Sequence, residues 1–403
     1  MAHERARHIT EIFNSLLGFS PILGFFGHRQ VGKSTFLAAN VKEYRTLDDA
    51  EELQFAGQDP KRFISSYKNY PGAIDECQLE PKLFSTLKEW VRTQKRPGQF
   101  VLSGSVRFTS RQAIRESLAG RMVMVEMLPF SVSEILQEPL SLTINRLLDL
   151  KKFSNDTFHH LNPPKKVKIF LKYFDTYLTN GGLPGLCFIR NHKLQINALK
   201  DLHDLILSRD LRLVSDLRIP LPTIKKLLSY ISQNIFEPYN ASEVRRLLGL
   251  APQTQKNLLE AMESIFLIRR IQLSGKKKEC FLLEDQLEEL VYSANSAESL
   301  RQAESAVYRN IRGQFFYSLD KAVSFESFMT RDHARVPIVI RGEKGVLGII
   351  VVDTNRPSLS QTRSAGSFLK KEANSKIVFL STQPIAPEVI DDRSLLCSIG
   401  SVI

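Results

Sequence analysis

Eight residues near the amino end, Gly27-His28-Arg29-Gln30-Val31-Gly32-Lys33-Ser34, follow the spacing G-x-x-x-x-G-K-[ST]. The chemistry this spelling serves is phosphate binding. Gly27 and Gly32 let the backbone curl so that successive N–H groups face phosphate oxygens. His28, Arg29, Gln30 and Val31 form the body of that loop, and Thr35 follows it. Lys33 would reach the β- and γ-phosphates of ATP, and the Ser34 hydroxyl would hold Mg²⁺. A second pair, Asp75-Glu76, supplies what hydrolysis needs. Asp75 would hold the metal through its water shell, and Glu76 would polarise the attacking water. Most adjacent acids are solvated surface; this pair closes the apolar Ala73-Ile74. The strand is short, however, and Tyr70-Pro71-Gly72 precedes it, where proline belongs at a strand's start or edge.

Such groups must be held by a sheet. An apolar run, Ile22 to Phe26, leads into the loop, and a helix-compatible stretch leaves it, the setting a P-loop requires. Over the first 140 residues apolar strands alternate with amphipathic helices, the pattern of an α/β fold with a parallel sheet covered on both faces. Strands are expected at Ile22–Phe26, Tyr44–Leu47, Ala73–Asp75, Phe100–Ser103 and Met122–Met127. Helices are expected at Lys33–Val41, Pro60–Tyr67, Lys82–Thr93 and Arg111–Leu118. Ser154 to Lys166 reads as a linker, and Val167 to Phe266 as helical. Phe315–Tyr317, Val336–Ile340, Gly345–Val352 and Ile377–Leu380 suggest a second sheet.

The 403 residues suffice for two or three domains. No apolar run approaches a membrane span, and Met1-Ala2-His3-Glu4-Arg5 lacks a signal peptide's apolar block, so the expectation is a cytoplasmic protein without membrane association. Cys77, Cys187, Cys280 and Cys397 are too scattered for a metal site or a disulfide framework. The formal charge of +12 suits a polyanionic partner such as nucleic acid, and it serves solubility equally.

Several motifs together resemble the AAA+ ATPases of the AAA_14 / DUF4143 architecture. They are the P-loop, the segment Tyr70–Gln78, Val101-Leu102-Ser103-Gly104-Ser105, Ser117-Leu118-Ala119-Gly120-Arg121 and Leu128-Pro129-Phe130-Ser131 with Glu134; Asn180-Gly181-Gly182-Leu183-Pro184 and Arg209-Asp210-Leu211 follow. The resemblance implies a P-loop NTPase domain over residues 1–150, a helical and winged-helix region over 165–290, and a restriction-endonuclease-like α/β domain over 295–403. It implies that Ser105, or Ser103 beside it, positions water or senses the γ-phosphate. It implies that Arg121 is an arginine finger supplied by a neighbouring subunit, with Arg209 a rival, and hence a homo-oligomer.

The winged-helix expectation has support in the residues. Ser242 can cap a first helix, Gly249-Leu250-Ala251-Pro252 makes a turn, and Gln253 to Ile265 forms a second helix offering Gln253, Gln255, Lys256 and Asn257. A hairpin tipped by Lys276-Lys277-Lys278 completes it, so DNA is a candidate partner and a protein another. The nuclease expectation meets an obstacle. Glu304 matches a helical glutamate, yet Arg335-Val336-Pro337 lacks the first acid and Gly348–Thr354 has only Asp353, with no acid-x-lysine. The domain therefore reads as an inactive scaffold for nucleic acid or protein. The function this points to is ATP binding and hydrolysis coupled to DNA or a partner protein. The rival is a nucleotide-dependent oligomeric switch without turnover.

Overall fold

The computed structural model describes residues 5–107, 118, 120–293, 299–318 and 322–403. The expected helix Arg111–Leu118 lies almost wholly outside them. Five parallel strands form the first sheet: β1 (Ile22–Phe26), β2 (Glu43–Thr46), β3 (Gly72–Asp75), β4 (Phe100–Gly104) and β5 (Met122–Glu126), in the order β2-β3-β4-β1-β5. Both faces are covered. Leu23 and Phe25 pack on α1 (Thr10–Phe19) and α2 (Lys33–Asn40) through Phe13, Phe36 and Leu37. Ile22, Ile74 and Leu102 pack oppositely, on α3 (Ala50–Gln58), α4 (Pro60–Ser65) and α5 (Lys82–Thr93) through Ala56, Phe63 and Leu87. This is the period-2 alternation of a sheet buried on both sides.

The short third strand forms and lies inside the sheet, not at its edge. β3 is buried at all four positions because it lies between β2 and β4, so two apolar residues suffice. Pro71 stands just outside it, where a missing N–H breaks no ladder bond; its carbonyl accepts from the Lys42 amide at 2.9 Å.

A second, eight-stranded mixed sheet occupies the rest of the chain: β6 (Ile268–Leu273), β7 (Glu279–Leu283), β8 (Ser324–Met329), β9 (Arg335–Gly342), β10 (Gly345–Val352), β11 (Ser375–Ser381), β12 (Glu388–Asp391) and β13 (Ser394–Ser398), in the order β12-β13-β11-β10-β9-β8-β6-β7. Along β10, Leu347, Ile349 and Val351 face the helix Ser299–Phe316, while Ile350 and Val352 face the helix Leu359–Lys371. The expected strand at Phe315–Tyr317 is the last turn of the helix Ser299–Phe316, whose Ile311 and Phe315 keep helical spacing into the core. Val132, Leu147, Phe170 and Phe174 join that same core, so the segment after the first sheet folds onto the second.

The helices Ala241–Leu248 and Pro252–Ser264 precede the β6–β7 hairpin, as the residues suggested. Two details differ. Asn240, not Ser242, caps the first helix, accepting from the Glu243 amide at 3.1 Å. Gln255 is buried rather than offered to solvent; its amide nitrogen ties Ala241 and Leu250 carbonyls at 3.0 and 2.7 Å, fixing the turn. The hairpin is no free wing, because β6 pairs in parallel with β8 at Gln272–Glu326 and Leu273–Ser327.

Candidate functional site

The loop between β1 and α2 has the backbone that its glycines were expected to permit. At Gly27 a Cβ would lie 2.3 Å from the Met127 carbonyl oxygen, so any side chain would push β5's exit away from the loop. Gly32 caps α2 with φ of 96°, a left-handed conformation that glycine adopts without strain. Lys33 is buried, and its ammonium donates to the Gly27 and His28 carbonyls at 3.0 and 2.9 Å. Burial lowers the Lys33 pKa, while Glu76 and then Asp75 oppose that shift. The loop is braced from beneath by Arg7, which donates to the Val31 and Leu128 carbonyls at 3.0 and 2.6 Å and pairs with Glu134 at 3.0 Å.

Strand register brings the acids to it. Phe25 pairs with Ser103 and Ile74 with Leu102, so Asp75 and Ser103 stand level at the carboxyl ends of neighbouring strands. This is the edge of an open parallel sheet where ligands bind. Ser34 Oγ donates to Asp75 Oδ2 at 2.6 Å, and Ser103 Oγ donates to Oδ1. Glu76 follows in a left-handed conformation (φ 52°, ψ 37°), a costly backbone state of the kind that gathers at functional sites. Its carboxylate accepts from Gln78. Burial raises the Glu76 pKa, with Lys33 pulling the other way.

Other expected residues fall in different places. Thr35 is exposed on the first turn of α2. Ser105 does not approach Asp75; its hydroxyl faces Asp210 Oδ2 at 3.4 Å. Arg121 stands one residue before β5, level with Pro21, because Ile22 pairs with Met122. Gly27 is six positions beyond Pro21, about 20 Å along a strand, so the fold does not bring Arg121 to its own chain's loop. Arg209 pairs with Asp48 at 3.0 Å, beyond β2. Glu304, on the helix Ser299–Phe316, is paired with Arg335 of β9, while Asp353 is exposed past the end of β10.

Three further residues meet the candidate site, none of them assigned a role there by a motif. Tyr44 donates to Asp75 Oδ2 at 2.6 Å, the same oxygen that Ser34 uses. Asp210, on a π-helical turn at Ile206–Asp210, accepts from Arg29 at 3.1 and 3.2 Å. Glu288 lies 3.1 Å from His28 Nε2. Asp210, although it stands in the Arg209-Asp210-Leu211 motif, and Glu288 are far from the loop in sequence, and Tyr44 lies beyond α2, so spacing along the chain does not place them there. Tyr44 makes a testable case. If it orients Asp75 toward metal, Tyr44→Phe should raise the Mg²⁺ concentration for half-maximal turnover about tenfold, the low end of the worth of a hydrogen bond to a charged group. An unchanged midpoint in a Mg²⁺ titration would remove Tyr44 from the site.

A hydroxyl–carboxylate pair below an amide-rich loop has donors and acceptors that a nucleotide phosphate and a hard divalent cation would fit. Residues 20–136 match the AAA_14 family model, described as an AAA domain. Over these residues the chain is similar to an AAA domain and carries a P-loop. Beyond the AAA domain, residues 171–280 match DUF8612, a domain of unknown function, where the residues had suggested DUF4143. No curated protein matches the chain. Among solved structures, a Signal Transduction ATPase with Numerous Domains protein with a tetratricopeptide repeat sensor from Pyrococcus horikoshii is 12% identical, with a TM-score of 0.25. That match covers 77% of this chain and 45% of the other, so this chain spans under half of that protein's length. A protein from Vibrio cholerae is 10% identical, covering 91% of this chain and 90% of that one at a TM-score of 0.18. Among the described residues no helix is long and apolar enough to cross a membrane.

Proposed function

We propose that the AAA domain binds ATP with Mg²⁺ and hydrolyses it. The observation that carries this reading is the Ser34–Asp75 hydrogen bond at 2.6 Å, with Glu76 as the next residue and Lys33 beside it. Lys33 would leave the loop carbonyls for the β- and γ-phosphate oxygens. Ser34 and Asp75 would hold Mg²⁺, which when bound offsets phosphate charge. Glu76 would accept a proton from the attacking water as the water oxygen bonds to the γ-phosphorus and the bond from that phosphorus to the β,γ-bridging oxygen breaks, releasing ADP. Ser103 keeps Asp75 turned toward Ser34.

Completion of the site from a second subunit would fall to Arg121. Since that residue sits at the far end of its own sheet, it could serve as a finger only in a homo-oligomer. The region after Asn180 would receive the nucleotide state through Arg29–Asp210 and pass it to a partner. DNA is the partner that the surface favours. The helix Pro252–Ser264 exposes Gln253, Lys256 and Asn257, its predecessor exposes Arg245 and Arg246, and the hairpin tip exposes Lys276, Lys277 and Lys278. Their contacts would fall on phosphates, without choice of sequence.

The test is ATP turnover with and without duplex DNA at two salt concentrations, alongside a mass measurement with ATP. We expect several-fold stimulation that fades at the higher salt, and assembly that needs nucleotide. Assembly without turnover would select the non-hydrolysing switch, and turnover indifferent to DNA would point to a protein partner.

A further inference from the structure

Two consecutive loop residues are held by different helices of the region after Asn180. Arg29 reaches Asp210, and His28 reaches Glu288 on the helix Gln286–Ser293. The second link is wholly buried. His28 Nδ1 lies 2.6 Å from the Arg29 carbonyl oxygen, and its Nε2 lies 3.1 Å from Glu288 Oε1. The same oxygen lies 2.7 Å from Nε2 of His203, on the helix His192–Leu205. His203 stacks on Tyr292, whose hydroxyl lies 2.9 Å from the other ring nitrogen. The second Glu288 oxygen accepts from the Asp285 amide at 3.0 Å. One carboxylate thus joins the phosphate loop to two helices.

The setting explains why it stays charged. Burial works to raise the Glu288 pKa, but His28 and His203 outweigh it and hold the carboxyl well below its ordinary range. Burial likewise works to lower the His28 pKa, and Glu288 outweighs that, with Glu284 adding a little. Asp285, buried beside Glu288, is pushed up to about 6 while it accepts from the Gly182 and Leu287 amides. The surrounding acids have their own partners: Glu284 pairs with Arg269 and Arg312, and Glu289 with Arg309. A buried carboxylate between two imidazoles is costly to strand, so the three groups move together. Movement of His28 also moves the carbonyl that Lys33 holds at 2.9 Å.

We propose that Glu288 is a positioning residue for nucleotide binding. It sets the P-loop through His28, and sharing one oxygen with His203 ties the loop's shape to the seat of the helical region. The inference rests on the ATP reading and deepens it.

The test measures the ATP–Mg²⁺ affinity of the full chain by calorimetry for His28→Asn, Glu288→Gln and the double variant. Each single change should weaken binding about tenfold, and the double variant should be no weaker than about twentyfold, since both remove one link. Glu288→Asp keeps the charge but withdraws the oxygen; it should weaken binding similarly, and it serves if the glutamine variant does not fold. In the nucleotide-free protein, the His28 ring resonance should titrate at lower pH in Glu288→Gln than in wild type. A double variant near a hundredfold, or a Glu288→Gln protein with wild-type affinity, overturns the inference while leaving the ATP reading intact. A wild-type protein with no ATP affinity overturns both, and the ring titration still shows whether the link exists.

Discussion

Lys33→Ala should abolish ATP binding, weakening it at least about a hundredfold, or about 3 kcal/mol. The buried ammonium turns into the loop, where it donates to the Gly27 and His28 carbonyls. Those two bonds are what triphosphate oxygens would replace, with full charge in place of carbonyl dipoles. Lys33→Arg should not rescue binding, since a planar guanidinium does not fit a space shaped for a compact ammonium. Stability should behave differently from affinity. Burial disfavours the charged lysine, so its removal relieves a desolvation cost and the melting temperature should hold or rise slightly. Calorimetry and thermal melting together check this. Retained ATP affinity in Lys33→Ala would end the nucleotide reading, whereas lost affinity with a collapsed melting temperature would make Lys33 structural.

Glu76→Gln should leave ATP affinity within a few-fold of wild type and lower kcat about a hundred- to a thousandfold, the range for removal of a general base. The pH dependence gives a second reading. Burial raises the Glu76 pKa, and Lys33 offsets only part of that. The base is therefore neutral at pH values where an exposed glutamate is already ionised. Turnover should rise with pH through a limb displaced above the ordinary glutamate range, and Glu76→Gln should erase it. The linkage to folding has the opposite sign. A carboxyl whose folded pKa is raised contributes stability while protonated, and loses that contribution as pH rises through the folded value. A steady-state pH profile on wild type and variant separates the two. An unchanged rate in Glu76→Gln would assign the base elsewhere.

What the residues determined by themselves was local. The octapeptide implied its own strand, loop and helix, because glycine at two positions and an apolar run before them leave few other conformations. Alternating strands and helices implied a doubly covered parallel sheet, and β1, β4 and β5 lie within a residue or so of where their apolar runs end. Expectations weakened where context outweighs pattern. β3 has two apolar residues and a proline before it, yet its place between two strands makes it fully buried. Phe315 to Tyr317 looks like a strand in isolation, and the helix before it simply continues.

Tertiary structure decided everything that depends on distance along the chain. It set Ser103 rather than Ser105 on Asp75: Ser103 is still held in β4, whereas Ser105 lies past the strand's end at Gly104, where the chain turns away and its hydroxyl meets Asp210. It carried Arg121 away from its own loop, because a parallel register sends the start of β5 to the opposite edge from the end of β1. It brought Tyr44, Asp210 and Glu288 to the loop from three separate segments. Spacing encodes what one turn or one strand can place. The partners of a buried charge are set by which surfaces must meet to exclude water, and that is a property of the whole chain.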